Sequence, residues 1–260
     1  MVGGQLRNAS IAFIASAVDE ARAAQARLTE RYRGVSPEKA DVIVALGGDG
    51  FMLQTLHAFM NTGKPIYGMN CGTVGFLMND LSEDAVPDRI AAASVTEIHP
   101  LQMEAVDAAG KRYTAYAINE VSLLRQSYQA AKLTIAIDGQ VRLADLICDG
   151  VLVATPAGST AYNLSAHGPI LPIYAPLLAL TPISAFRPRT WRGALLPDHV
   201  TVKITALETD KRPINAVADN VEFKSVVEVT VRQDRAATSV ILFDPDHSWD
   251  ERILAEQFKY

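Results

Sequence analysis

A run of aliphatic residues, Val42-Ile43-Val44-Ala45-Leu46, stops abruptly at Gly47-Gly48-Asp49-Gly50. The run reads as a buried strand. Phe51-Met52-Leu53-Gln54-Thr55-Leu56-His57 then has helical composition and spacing. Strand, glycine turn and helix in immediate succession call for a parallel α/β sheet. The glycines let backbone N–H groups approach a ligand closely, and a helix N-terminus beside such a turn is an anion site made of backbone dipoles. One acid among phosphate-binding amides is what an enzyme needs to deprotonate a hydroxyl that attacks a phosphate. A plain turn with Asp49 as N-cap accounts for the same four residues, and the motif alone leaves both readings open.

The surrounding pattern supports the α/β assignment for the first part of the chain. Strands are expected over 10–16, 41–46 and Pro65–Asn70, and helices over 19–33, 50–60 and 84–93. This alternation with short loops predicts a parallel sheet covered by helices. The pattern changes near residues 96–100. Leu101–Asp107 and 112–124 flank a hairpin turn at Ala108-Ala109-Gly110-Lys111, and 132–137 and 140–146 flank Asp138-Gly139. Asp-Gly between alternating runs is a strong hairpin signal. Further strands are expected at 152–154, 200–206, Ile214–Ala218 and 226–232. The chain therefore divides into an α/β parallel-sheet domain over 1–98, an all-β antiparallel domain over 99–235, and a C-terminal segment over 236–260. That segment ends in an amphipathic helix (248–259, with Trp249, Ile253, Leu254 and Phe258 apolar) docked on the first domain.

Charge and cysteine content exclude several classes. The net charge is −5 and no Lys/Arg block exists, which argues against nucleic acid or an anionic membrane as partner. Cys71 and Cys148 have neither C-x-x-C nor zinc spacing and read as reduced thiols of a cytoplasmic protein. The run Ile11–Ala17 has too weak a basic flank and is too short for a signal peptide, and fits a first strand better. No apolar run reaches membrane-spanning length.

Three further segments carry chemistry. Gly72-Thr73-Val74-Gly75-Phe76-Leu77 follows the third strand as Gly47–Gly50 follows the second. In a parallel sheet both loops leave the carboxyl edge of neighbouring strands, where ligands bind; a pair of tight turns is the alternative. Asn119-Glu120 interrupts an apolar strand, so one side chain faces solvent and the other needs a buried partner or a ligand. Asp149-Gly150 opens a strand that ends at Pro156. Ala157-Gly158-Ser159-Thr160-Ala161-Tyr162-Asn163-Leu164-Ser165 follows, offering close approach at Gly158 and Ala161, directional hydroxyls, and a ring face at Tyr162. That chemistry suits a polar ligand with an aromatic ring. Arg187-Pro188-Arg189-Thr190-Trp191-Arg192 reads as a solvated loop or as a grip on phosphates or another subunit. His57 reads as a packed helix residue, and Met52, Met60, Met69 and Met78 as core.

Taken in order and spacing, Gly-Gly-Asp-Gly, Gly-Thr-x-Gly-Phe-Leu, Asn-Glu and Asp-Gly…Thr-Pro-x-Gly-Ser-Thr-Ala-Tyr resemble the NAD kinase family. The motifs span Leu46 to about Ile170. The resemblance implies phosphoryl transfer from ATP to the 2′-hydroxyl of the adenosine ribose of NAD, with Mg²⁺ or another divalent cation accompanying ATP. It implies Asp49 as general base. Gly50, Phe76, Asn119, Glu120, Asp149, Ala157, Thr160, Ala161, Tyr162, Asn163, Leu164 and Ser165 are implied as nucleotide-binding, and a homodimer or homotetramer as the assembly. Phe51, Ala157, His167 and Asp219-Asn220 depart from the family's usual Thr, hydroxyl residue, Gly and Asp-Gly. The absence of G-x-x-x-x-G-K-[ST] and of G-x-G-x-x-G argues against a P-loop ATPase and a Rossmann dehydrogenase. The competing readings are another Gly-Gly-Asp-Gly kinase, acting on a lipid or sugar, and a non-catalytic NAD sensor.

Overall fold

A computed structural model describes residues 3–72, 75–245 and 258, with side chains from residue 6 onward. The chain forms two units. One comprises the residues up to Ile98 together with those from Ala237 onward, and the other comprises His99–Ala236.

In the first unit β1 (Ile11–Ala15), α1 (Asp19–Arg31), β2 (Val42–Gly47), α2 (Asp49–Ala58) and β3 (Pro65–Asn70) alternate as the sequence pattern requires. A two-residue β4 (Asn79–Asp80), α3 (Val86–Ala92) and β5 (Ser94–Ile98) follow. The expected strand or helix stands at each predicted place, within a few residues. β2 lies between β1 and β3 and is buried along its whole length, which is why its sequence is a continuous apolar run rather than an alternation. Ala21, Ala24 and Leu28 form the buried stripe of α1, and Met52, Thr55 and Leu56 that of α2.

The sheet is the expected parallel one through β1, β2 and β3, with an addition from the end of the chain and one antiparallel edge strand. Its order is β1-β2-β3-β17-β5, with β17 (Ser239–Phe243) brought in from the end of the chain. β17 runs parallel to β3, but β5 runs antiparallel to β17, so the sheet is mixed. β4 pairs with Met69 and Asn70 of β3, while β17 pairs with Pro65, Ile66 and Tyr67. The two short partners thus share one edge of β3. The helix expected over 248–259 lies outside the described residues, apart from Phe258, which is exposed.

The second unit contains β6 (Leu101–Asp107), β7 (Arg112–Ala117), β8 (Glu120–Arg125), β9 (Ala131–Ile137), β10 (Gln140–Cys148) and β11 (Gly150–Ala154). After α4 (Tyr162–Ser165) come β12 (Leu177–Ile183), β13 (Ala194–Pro197), β14 (Val202–Ala206), β15 (Ile214–Ala218) and β16 (Val221–Gln233). These strands form one curled antiparallel sheet, ordered β10-β9-β14-β16-β15-β8-β11-β12-β13, with β6 and β7 attached through β16. Both predicted hairpins form. Asp138 and Gly139 take φ of 48° and 76° in the second, the left-handed pair that a tight two-residue turn needs.

One predicted strand is corrected. The run 112–124 is two strands, broken at Ile118-Asn119, with β7 pairing to β6 and β8 to β11 and β15. β11 is buried on both faces. Val151 and Val153 face the main core, and Leu152 and Ala154 pack with Leu171 and Ala179 beneath the polar loop that follows Pro156. Cys71 and Cys148 are both free thiols.

Candidate active site

In the first unit β2 and β3 are parallel neighbours, so both glycine loops leave the same carboxyl edge. Gly48 is the N-cap of α2 in extended conformation and Asp49 is its first residue, an acid at the positive end of the helix dipole. The Asp49 carboxylate reaches the second loop. The Phe76 N–H donates to Oδ2 at 2.8 Å and the Leu77 N–H donates to Oδ1 at 2.9 Å. One carboxylate therefore joins two loops that are 27 residues apart in sequence. The role of plain N-cap does not describe it, since Gly48 holds that position. A Cβ added at Gly48 or Gly50 would meet nothing within 4 Å among the described residues, so among these the turn is open. Gly47 has no such room, because a Cβ there would come within 2.9 Å of the Phe51 side chain. Phe76 is half-buried and Leu77 is buried; Thr73 and Val74 fall outside the described residues.

In the second unit Asp219 organises the Asn119-Glu120 pair. It follows β15 with a left-handed φ of 50°, and its carboxylate accepts N–H bonds from Ile118 (2.6 Å), Asn119 (3.0 Å) and Glu120 (3.2 Å). Thr155 holds the carbonyl side of the same turn. Its Oγ1 donates to the Ile118 carbonyl at 2.6 Å and accepts the Gly158 N–H at 3.0 Å. Gly158 presses on this turn so closely that a Cβ would stand 2.1 Å from the Asn119 carbonyl oxygen.

The break in the strand leaves two buried oxygens, Asn119 Oδ1 and Glu120 Oε2, without a hydrogen-bond partner among the described residues. Neither side chain is the harmless solvent-facing one that strand alternation predicts for one of the pair. The Glu120 carboxyl is pushed up to about 7, first by burial and then by the nearby Asp219 charge, while the Tyr162 N–H works in the opposite direction. Burial, with Glu120 and Asp149 as lesser causes, also raises the Tyr162 phenol.

The loop after β11 forms a 3₁₀ turn over Ala157–Thr160 and the single helical turn α4. Ala157 and Thr160 are buried, Ala161 and Leu164 are half-buried, and Ser165 is exposed. Tyr162, 36% exposed, presents its ring beside a hollow of about 610 Å³ that Arg125, Tyr128 and Asp149 also line. Asp149 is paired with Arg125 at 2.6 Å. Asn163 is fully buried, and its amide serves the loop itself. Nδ2 donates to the Ser159 and Pro169 carbonyls, and Oδ1 accepts the Thr181 hydroxyl. His167 adopts φ 63°, in the left-handed region that favours glycine. In the 187–192 segment the Arg187 and Arg189 guanidiniums lie over the Phe186 ring, 5.6 and 4.9 Å from its centroid.

Sequence reasoning missed Asp219, Thr155 and Arg125. Asp219 was visible only as half of the pair Asp219-Asn220, whose departure from Asp-Gly is at Asn220, and its three bonds go to backbone groups some hundred residues away.

Comparison with known proteins gives one consistent result. Residues 3–97 match the ATP-NAD kinase N-terminal domain and residues 118–242 the ATP-NAD kinase C-terminal domain. The chain is 64% identical over 249 residues to the NAD kinase of Rhizobium meliloti (strain 1021), covering 96% of this chain and 97% of that protein. It is 60% identical over 248 residues to the NAD kinase of Caulobacter vibrioides, covering 95% of each. Among solved structures, yeast NADH kinase complexed with NADH is similar at a TM-score of 0.83 and 21% identity, over 96% of this chain and 89% of that one. The NAD kinase from Archaeoglobus fulgidus in complex with ATP is similar at 0.75 and 22%, over 96% and 100%.

Proposed function

The chain belongs to the NAD kinase family, an enzyme that phosphorylates NAD to NADP with ATP, and on that premise we propose how its residues divide the work. Asp49 is the general base. The observation that carries this reading is the Asp49 carboxylate itself, fixed by the Phe76 and Leu77 amides at the open glycine edge of the sheet. A carboxylate accepts about four hydrogen bonds, so these two amides orient Asp49 without by themselves saturating it.

The 2′-hydroxyl of the adenosine ribose gives its proton to Asp49 as its oxygen attacks the terminal phosphorus of ATP. The bond from that phosphorus to the ADP oxygen breaks, and NADP and ADP result. Phosphoryl transfer of this kind needs positioning and charge stabilisation more than covalent chemistry. Amides at the start of α2 and the glycine turn suit the phosphate oxygens.

Nucleotide binding falls to Gly50 and Phe76 of the first unit and to Asn119, Glu120, Asp149, Ala157, Thr160, Ala161, Tyr162, Asn163, Leu164 and Ser165 of the second. Asn119 Oδ1 and Glu120 Oε2 are acceptors awaiting N–H or O–H donors from the ligand, since a buried oxygen left unpaired is costly. Tyr162 supplies a stacking face, and Asn163 holds the shape of the loop that carries it. The donor is the Mg²⁺ complex of ATP. Magnesium accepts phosphate and water oxygens as its main ligands. The working form is a cytoplasmic homodimer or homotetramer. No helix among the described residues is long and apolar enough to cross a membrane.

The decisive experiment is NADP formation from NAD and Mg-ATP by the wild type and by Asp49→Asn. Loss of a general base lowers kcat by about 10²–10⁴-fold; the variant folds and binds NAD, with a lower Tm because its amide nitrogen faces one of the two N–H donors. Unchanged turnover in the variant removes Asp49 from the reaction.

A further inference from the structure

The loop that grips Asp49 has an anchor of its own. Two residues after Leu77 stands Asn79, 0% exposed in a strand of only two residues. It lies on the edge of β3 where β17 stops and β4 begins. Its side chain spans that seam. Nδ2 donates to the Gly68 carbonyl at 3.1 Å and to the Leu242 carbonyl at 3.0 Å, and Oδ1 accepts the Asp244 N–H at 2.9 Å. All three are backbone groups of β3 or of β17 and its extension. The loop is pressed down beside this anchor: a Cβ on Gly68 would meet Met78 Sδ at 2.7 Å and the Leu77 carbonyl at 3.2 Å. Asp244 is held in turn by the Tyr67 hydroxyl at 2.6 Å and by Arg89 at 2.5 Å.

We propose that Asn79 is a positioning residue for Asp49, acting through the Phe76 and Leu77 amides. The inference rests on the reading of Asp49 as the base. The amides that orient the carboxylate are two and three residues from the anchor, and one extended residue spans only about 3.3 Å. Little slack separates the anchor from the amides. The N–H···O bonds to Asp49 tolerate only a few tenths of an ångström before they weaken, and a misplacement of about 1 Å at a reacting group costs about 10²-fold in rate. Asparagine suits the position because it donates twice and accepts once from one planar group. An isosteric carboxylate keeps the acceptor for the Asp244 amide, but it sets an oxygen against carbonyl oxygens at the other two contacts.

The test compares wild type, Asn79→Asp, Tyr67→Phe and Asp49→Asn in the full chain. It measures kcat, KM for NAD and for Mg-ATP, Tm, and deuterium exchange at the Phe76 and Leu77 amides. Asn79→Asp lowers kcat roughly 10–100-fold with both KM values within about threefold, and those two amides exchange faster. Tyr67→Phe loses the outer hydrogen bond to Asp244, so Tm falls while kcat holds. A kcat for Asn79→Asp within twofold of wild type overturns the proposal, as does an equal loss in Tyr67→Phe. If Asn79→Asp does not fold, wild-type exchange decides. Protection at Phe76 and Leu77 supports the anchor, and exchange as fast as in an open loop overturns it. Full activity in Asp49→Asn instead refutes the base, whatever Asn79 shows.

Discussion

Glu120 offers the sharpest quantitative test of the second unit. Its carboxyl is raised from 4.5, ordinary for glutamate, to about 7, with burial the larger cause and Asp219 the lesser. A change of one pKa unit is about 1.4 kcal/mol, so ionising Glu120 in the folded chain costs about 3 kcal/mol more than in the unfolded one. The folded carboxyl keeps its proton over a range where the unfolded one has lost it. Folded protein therefore binds more protons than unfolded protein between about pH 4.5 and 7. Stability falls as pH rises through that window and levels off above it. Glu120→Gln cannot ionise and escapes the penalty. In urea titrations followed by circular dichroism, the variant gains on wild type by about 2–3 kcal/mol between pH 4.5 and pH 8. The intrinsic effect of the substitution cancels, because only the pH dependence of the difference is read. A difference that stays constant across the two pH values, or grows in favour of wild type, refutes the argument that this carboxyl is buried without an adequate partner.

Two further outcomes follow from the same geometry. Gly158→Ala places a Cβ 2.1 Å from the Asn119 carbonyl, a backbone atom that cannot swing aside. Overpacking of this kind costs about 3 kcal/mol, so Tm falls and the NAD titration loses its saturable signal; a variant with wild-type Tm contradicts the contact. Tyr162→Ala removes a ring that is 36% exposed and leaves the core intact. Calorimetry shows NAD affinity about tenfold weaker, in line with an aromatic contact of about 1.5 kcal/mol, with Tm nearly unchanged.

What the sequence displays and what it hides divide along a physical line. Continuous apolar runs and period-2 alternation report burial, so β2, β11 and the hairpins could be read directly. Gly47–Gly50 could be placed at a strand's carboxyl edge because strand, turn and helix are contiguous. β17 was within reach as the run Ser-Val-Ile-Leu-Phe, but nothing local says that it inserts beside β3, or that β5 then pairs with it antiparallel. The break at Ile118-Asn119 had no glycine or proline to mark it. Its cause is Asp219, whose carboxylate takes three amides that strand pairing would otherwise claim.

That cause has a counterpart in the other unit. Asp49 takes the Phe76 and Leu77 amides as Asp219 takes those of residues 118–120. Backbone amides carry no residue identity, so neither grip leaves a mark at the residues gripped. The two carboxylates nonetheless differ in what they leave for a ligand. Asp219 turns its strand so that other side chains, Asn119 and Glu120, hold unpaired buried oxygens. Asp49 stands beside Gly48 and Gly50, over which a Cβ would meet nothing among the described residues. A carboxylate whose neighbours carry the unpaired acceptors is a scaffold. One oriented at the rim of open space can itself meet a hydroxyl. On the proposed reading Asp219 shapes the nucleotide pocket and Asp49 takes the proton, and Asn79, buried two residues beyond Leu77, serves the reaction without touching a substrate.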